Sequence, residues 1–88
     1  MLYLIIEEFR EGAAPVFRRL RDLGRQTPEG LNYVGSWVTS DLLRCYQVME
    51  CDDRKLLDQW MAVWVDLVDF EVVSVLTSAD AARAVAGA

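Results

Sequence analysis

The spacing of apolar residues along this chain switches between the two-residue period of a strand and the 3.6-residue period of a helix in one order, and that order leaves few folds open. Residues 2–9 form a β-rich apolar run, broken at Glu11-Gly12. Val16, Phe17, Leu20 and Leu23 then recur at helical spacing, with arginines on the opposite side. Pro15 falls near the first turn, where its missing N–H costs nothing, and Gly24 supplies a left-handed helix end. Residues 26–30, with Pro28 and Gly30, read as a loop. Residues 31–39 and 43–51 read as two strands, and Ser40-Asp41 between them predicts a hairpin. Asp52 is expected to cap a second helix, whose apolar stripe is Leu56, Leu57, Trp60, Val63, Trp64 and Leu67. Residues 70–76 predict a fourth strand. Ser78 is expected to cap a short Ala-rich helix towards Val85, with Gly87-Ala88 fraying beyond it.

The order β-α-β-β-α-β plus a small C-terminal helix is the split βαβ pattern of an α+β, ferredoxin-like fold. Right-handed crossovers place both main helices on one face of a four-stranded antiparallel sheet. The 88 residues are short for two domains, so a single domain over 1–88 is expected.

The other sheet face predicts a partner. Strand one is apolar on both sides, with Leu2, Leu4 and Ile6 on one and Tyr3, Ile5 and Phe9 on the other. The fourth strand repeats this, with Phe70, Val72 and Leu76 against Val73 and Val75. A solvated face would alternate with polar residues. Four strands present on the order of 400 Å² per face. Side-chain relief and strand ends bring that towards the ~800 Å² per partner of a standard interface. A homodimer packed sheet to sheet around a two-fold axis is therefore expected; the pattern alone does not fix which face is shared, because strand register is open.

Composition removes several function classes. The net charge is −5, the pI about 4.5, and no basic run is present, so a nucleic-acid partner is not expected and an anionic membrane would repel the chain. No apolar segment reaches the ~20 residues of a membrane span. The start MLYLIIEEF lacks a basic region and is cut by two glutamates, unlike a signal peptide, so a cytoplasmic location is the default expectation. Histidine is absent, which removes imidazole bases, Ser–His and Cys–His pairs and the usual zinc sites. Cys45 and Cys51 on one extended strand would lie ~20 Å apart, beyond disulfide reach, and read as buried thiols. No Gly-rich phosphate loop, CxxC or acidic metal cluster occurs, and neither a cofactor nor a metal is expected.

The strings MLYLIIEEF, PEGLNYVGSWV, RCYQVMECDDRKLLDQWMAVWVDLVDFEVV and SVLTSADAA carry a resemblance. Together they span nearly the whole chain and resemble the uncharacterised bacterial family called domain of unknown function 3303. SWV followed by RCYQVME, and the two tryptophans four apart, are the most specific parts. The family is similar to the dimeric α/β-barrel superfamily of ferredoxin-like dimers. That resemblance implies a dimer and no particular activity, since fold analogy is a weak functional warrant. The superfamily holds cofactor-free monooxygenases, muconolactone-isomerase-like enzymes, haem-dependent enzymes and plain ligand binders. Any mechanism using a histidine does not carry over to this chain.

A few polar residues stand where an interior is expected. Glu7 and Glu8 end strand one on opposite faces, so they are no acid–base pair, but one of them points inward or across the dimer. A buried glutamate with a raised pKa is a functional candidate; a solvated strand end or an arginine partner is the plainer reading. Gln47 and Glu50 on the third strand need hydrogen-bond partners, from an internal network, a dimer contact or a ligand. Tyr33 and Trp37 are four apart on strand two and expected on one face; Trp60 and Trp64 are four apart on the second helix. Such aromatics fill cores, or line the pocket of a flat ligand. Arg25, before strand two, is either solvated or a carboxylate clamp at a pocket mouth. The reading is a cleft in each subunit for a small apolar or aromatic molecule, with Tyr33, Trp37 and Trp60 as walls and Glu7, Gln47 and Glu50 as anchors. Its function would be binding or cofactor-free catalysis. The alternative is a non-catalytic dimerisation or interaction module in which the same residues only pack.

Overall fold

The computed structural model describes residues 1–87, so the fraying expected at Ala88 lies outside the described residues. The elements are β1 (Leu2–Phe9), α1 (Ala13–Leu23), β2 (Asn32–Val38), β3 (Arg44–Glu50), α2 (Arg54–Trp64), β4 (Val68–Val75) and α3 (Ser78–Ala86). The sheet order is β2-β3-β1-β4 and every pairing is antiparallel. This is the ferredoxin-like arrangement that the periodicity predicts.

Side-chain alternation divides the sheet into two unequal faces. Tyr3, Ile5, Glu7 and Phe9 of β1 are buried under the helices, as are Cys45, Gln47 and Met49 of β3. Leu57, Trp60 and Trp64 of α2 and Val16 of α1 close over them. A bidentate ion pair from Arg19 on α1 to Asp66, in the turn after α2, at 2.8 and 2.6 Å, ties α1 to the end of α2, where Arg19 Nη1 also donates to the Val63 carbonyl at 3.2 Å. The opposite face, with Leu4, Ile6, Tyr46 and Val48 on its central strands, is left uncovered and only half-buried. Both cysteines are buried and free.

Three local expectations are corrected. The α2 cap is Asp53, not Asp52: its extended backbone (φ −115°) lets the carboxylate accept from Lys55 N at 2.9 Å, a reach Asp52 lacks one residue earlier. The α3 cap is Thr77, not Ser78, with Thr77 Oγ1 accepting from Asp80 N at 3.0 Å. Strand four begins at Val68, two residues early, because the turn after α2 is short and drops Val68 directly into the core opposite Phe9.

A fourth correction bears on the site. The β2–β3 register slips between Tyr33 and Gly35, leaving Val34 as a bulge. An extra residue flips every side chain beyond it to the other face. Tyr33, opposite Met49, therefore lies on the helix side, while Trp37, opposite Tyr46, lies on the uncovered side. Strict alternation had put the two aromatics together.

The molecule is elongated. Its radius of gyration is 14.3 Å, against about 12 Å for a compact chain of this length, and α3 buries none of its residues.

Candidate functional site

Beneath α1 and α2, on the covered face, lies a cavity of about 80 Å³. A water needs roughly 10–15 Å³ of such space, so the cavity accommodates several waters or a small organic group. Its floor is Glu7 of β1 with Cys45 and Gln47 of β3. Val16, Phe17 and Leu20 of α1 form one wall, and Trp60 and Trp64 of α2 the other. Arg25 and Ser36 stand on the β2 side, and with the half-exposed Phe17 they mark where the cavity opens.

Glu7 is the unusual group. Its position on β1 is set by the alternation that buries Ile5 and Phe9, so the strand drives a carboxyl into the interior. The side chain is 94% buried, and Oε2 has no hydrogen-bond partner. Burial raises its pKa from 4.5 to about 7; the Arg25 charge and the neighbouring Cys45 thiol pull it down more weakly. Burial, then the adjacent Glu7, pushes the Cys45 thiol up to about 12, so Cys45 is a neutral wall and no nucleophile near neutral pH.

Arg25 is placed by the two tryptophans. The indole N–H groups of Trp60 and Trp64 both donate to the Arg25 carbonyl oxygen, at 2.9 and 3.2 Å, satisfying both of its lone pairs. The i, i+4 spacing on α2 aims both indoles at one point. Arg25 sits between Gly24 (φ 73°) and Gln26 (φ 63°), two left-handed residues that fold the chain sharply enough to present that carbonyl to α2. Its side chain turns back over the sheet. The guanidinium lies 3.7 Å from the centre of the Tyr33 ring, and Nη1 donates to Gln47 Oε1 at 3.0 Å. Gln47 Nε2 meets Met49 Sδ at 3.1 Å, so Gln47 spends both ends within the protein. Tyr33 Oη and Ser36 Oγ lie 2.7 Å apart at the rim.

Of the candidates read from sequence, Glu7, Gln47 and Trp60 line the cavity, and Tyr33 stands at its rim beneath Arg25. Two lie elsewhere. Trp37 is 63% exposed on the opposite face, and Glu50 is at the sheet end, where its Oε1 accepts from Asn32 Nδ2 at 2.8 Å. Missed altogether was the backbone carbonyl of Arg25 as the anchor for both indoles. The paired tryptophans were visible in the sequence, but nothing in it names what they hold. Among the described residues no group of three or more His, Cys, Asp or Glu is placed to hold a metal, and no helix is long and apolar enough to cross a membrane.

A ferredoxin-like α+β domain with a carboxyl-bearing cavity between its helices and its sheet is the class of protein that this fold and site define. Over residues 1–88, its whole length, the chain matches the family described as Domain of unknown function (DUF3303), and it belongs to that family. No curated protein and no solved structure matches it.

Proposed function

We propose that this protein binds a small apolar or aromatic molecule in the cavity between helices and sheet, one in each subunit of a homodimer. One observation carries the reading: Glu7 Oε2 is buried and unpartnered in a mostly apolar cavity, where only Arg25, Ser36, Cys45 and Gln47 interrupt the indoles, phenylalanines and aliphatic side chains. An unpaired buried polar atom costs about 1–3 kcal/mol, a cost a ligand bonded to it would offset. Mostly apolar walls with few polar anchors are the usual form of a ligand site. Without a cofactor, the chemistry such a site supports is proton transfer through Glu7, whose pKa of about 7 keeps both of its forms present at neutral pH. The homodimer is supported by the uncovered face and by α3, a nine-residue helix with no buried side chain, too short to persist unsupported in water. The acidic chain fits a small-molecule role better than a nucleic-acid one, and we place it in the cytoplasm on the same reading.

The three tryptophans provide the test. Trp60 and Trp64 border the cavity and Trp37 lies on the other face, so their indole N–H signals in a 15N-resolved spectrum report the two regions separately. Titration with benzyl alcohol is expected to move the Trp60 and Trp64 signals and leave Trp37 in place. If only Trp37 responds, or none does up to the solubility limit, the cavity is not a binding site. The second reading, a non-catalytic dimerisation or interaction module, is favoured by Gln47, whose amide is already satisfied by Arg25 and Met49. Under it, Gln47→Leu alters stability or dimer affinity and nothing else.

A further inference from the structure

The cavity holds two opposite ionisable groups that do not meet. Among the described residues Arg25 has no carboxylate within ion-pair distance, and Glu7 Oε2 has no partner at all, yet both line the same space. A direct Glu7–Arg25 pair would satisfy both and close the gap. Instead, Gln47 and the Tyr33 ring hold the guanidinium back at the rim. Only one Arg25 N–H is engaged by a side chain, at Gln47, and the rest of the planar fork remains free to donate. No other charged side chain lines the cavity.

From this arrangement we infer that the cavity takes a small monocarboxylate, one oxygen of which accepts from Arg25 while the other accepts the proton of Glu7 in its acid form. The inference rests on the binding reading above and names its ligand class. A cationic ligand would face Arg25 with no full counter-charge. A dianion such as phosphate would bring a second negative charge against a single arginine, between walls of Phe9, Val16, Phe17 and Leu20 that cannot solvate it. A monocarboxylate carries the one negative charge that Arg25 balances, and its hydrocarbon part suits the apolar wall.

Glu7 must be protonated for this pairing, so binding takes up a proton whenever Glu7 is ionised in the free protein. The charged or titratable groups facing Glu7 are Arg25 from the loop and Cys45 from β3, with Tyr33 beyond Arg25. Elements α1, α2 and β4 present apolar or indole side chains there. Cys45, held near 12, does not titrate between pH 6 and 8. With Glu7 titrating about 7, carboxylate affinity falls about tenfold from pH 6 to pH 8, although the ligand stays ionised throughout.

The experiment titrates the protein with propionate and benzoate, and with propionamide and benzamide as neutral isosteres, following the Trp60 and Trp64 indole signals at pH 6 and pH 8. Expected is carboxylate binding about tenfold tighter at pH 6 than at pH 8, with both amides at least about tenfold weaker than the acids at pH 6. Glu7→Gln should bind the carboxylates with no pH dependence, since its amide N–H donates at every pH. Arg25→Gln, which keeps the backbone carbonyl that anchors the indoles, should lose the preference for acid over amide. Amides that bind as well as acids, a pH-independent wild type, or an Arg25→Gln protein that keeps the preference would each overturn the carboxylate assignment and leave the cavity reading standing. Absence of any indole shift with all four compounds would overturn both.

Discussion

At the scale of single residues, Glu7 makes the stability of this protein depend on pH in the direction opposite to most carboxylates. Its pKa rises from 4.5 in the open chain to about 7 in the fold, so the folded state holds the proton more tightly. Stability is then full below about 4.5, declines as pH rises towards 7, and carries the whole burial penalty above it. The shift corresponds to ~3.5 kcal/mol at most, by the conversion of about 1.4 kcal/mol per pKa unit. Glu7→Gln keeps the shape and removes the charge. Urea denaturation should show the variant nearly equal to wild type at pH 5 and more stable by about 1–3 kcal/mol at pH 8. Equal stability at both pH values would mean that Glu7 is not buried as an ionisable group. The sequence pointed at this residue through its place on an apolar strand, without fixing whether Glu7 or Glu8 turned inward. That choice belongs to the pairing with β3, which sets Glu7 opposite Cys45 and Glu8 opposite Arg44, whose Nη2 donates to it at 2.6 Å.

At the scale of elements, α2 and the loop after α1 act as one unit. Two indoles from adjacent turns of the helix converge on a single carbonyl, and that carbonyl fixes the residue whose side chain reaches Tyr33 and Gln47. Removing one indole N–H leaves the carbonyl one donor, whereas removing both leaves a part-buried acceptor with none. Trp60→Phe and Trp64→Phe should each destabilise by about 1–3 kcal/mol, combining a lost hydrogen bond with lost volume. The double variant should lose more than the sum, by about 1 kcal/mol, and a double-mutant cycle on urea midpoints measures the excess. Strict additivity would mean the two bonds do not share an acceptor. The stripe on α2 was legible because helical periodicity is local. The bulge at Val34 was not read: Gly35 inside the strand pattern is the one local signal of it, and only pairing against β3 shows where the extra residue enters. That bulge separates Tyr33 from Trp37 and gives each to a different face.

At the scale of the whole molecule, the uncovered sheet face is the surface on which the proposed homodimer rests. Val48 sits near its centre, opposite Leu4 on β1 and Gly35 on β2. In an isolated chain an aspartate there would remain in water at little cost. Across a two-fold interface it would bury an unpaired charge, worth roughly 3–5 kcal/mol per broken site. Val48→Asp should therefore raise the dimer dissociation constant at least about a hundredfold and shift the mass in light scattering from twice 10.0 kDa towards 10.0 kDa. Wild-type protein already at 10.0 kDa at micromolar concentration would remove the dimer. The cavity lies on the other side of the sheet, so carboxylate or benzyl alcohol binding can be followed in this variant independently of assembly.

The sequence by itself determined the element order and, with it, the ferredoxin-like arrangement of helices against one sheet, because alternation and helical periodicity are written within a few neighbouring residues. It also placed Glu7, Gln47 and Trp60 among the residues to watch. The tertiary structure alone decided which of them share a space. Strand register, a one-residue bulge and a carbonyl held by two distant indoles depend on contacts between residues far apart in the chain, and no local pattern carries them. Those long-range contacts bring Arg25 to the rim above Glu7 and send Trp37 and Glu50 away from it.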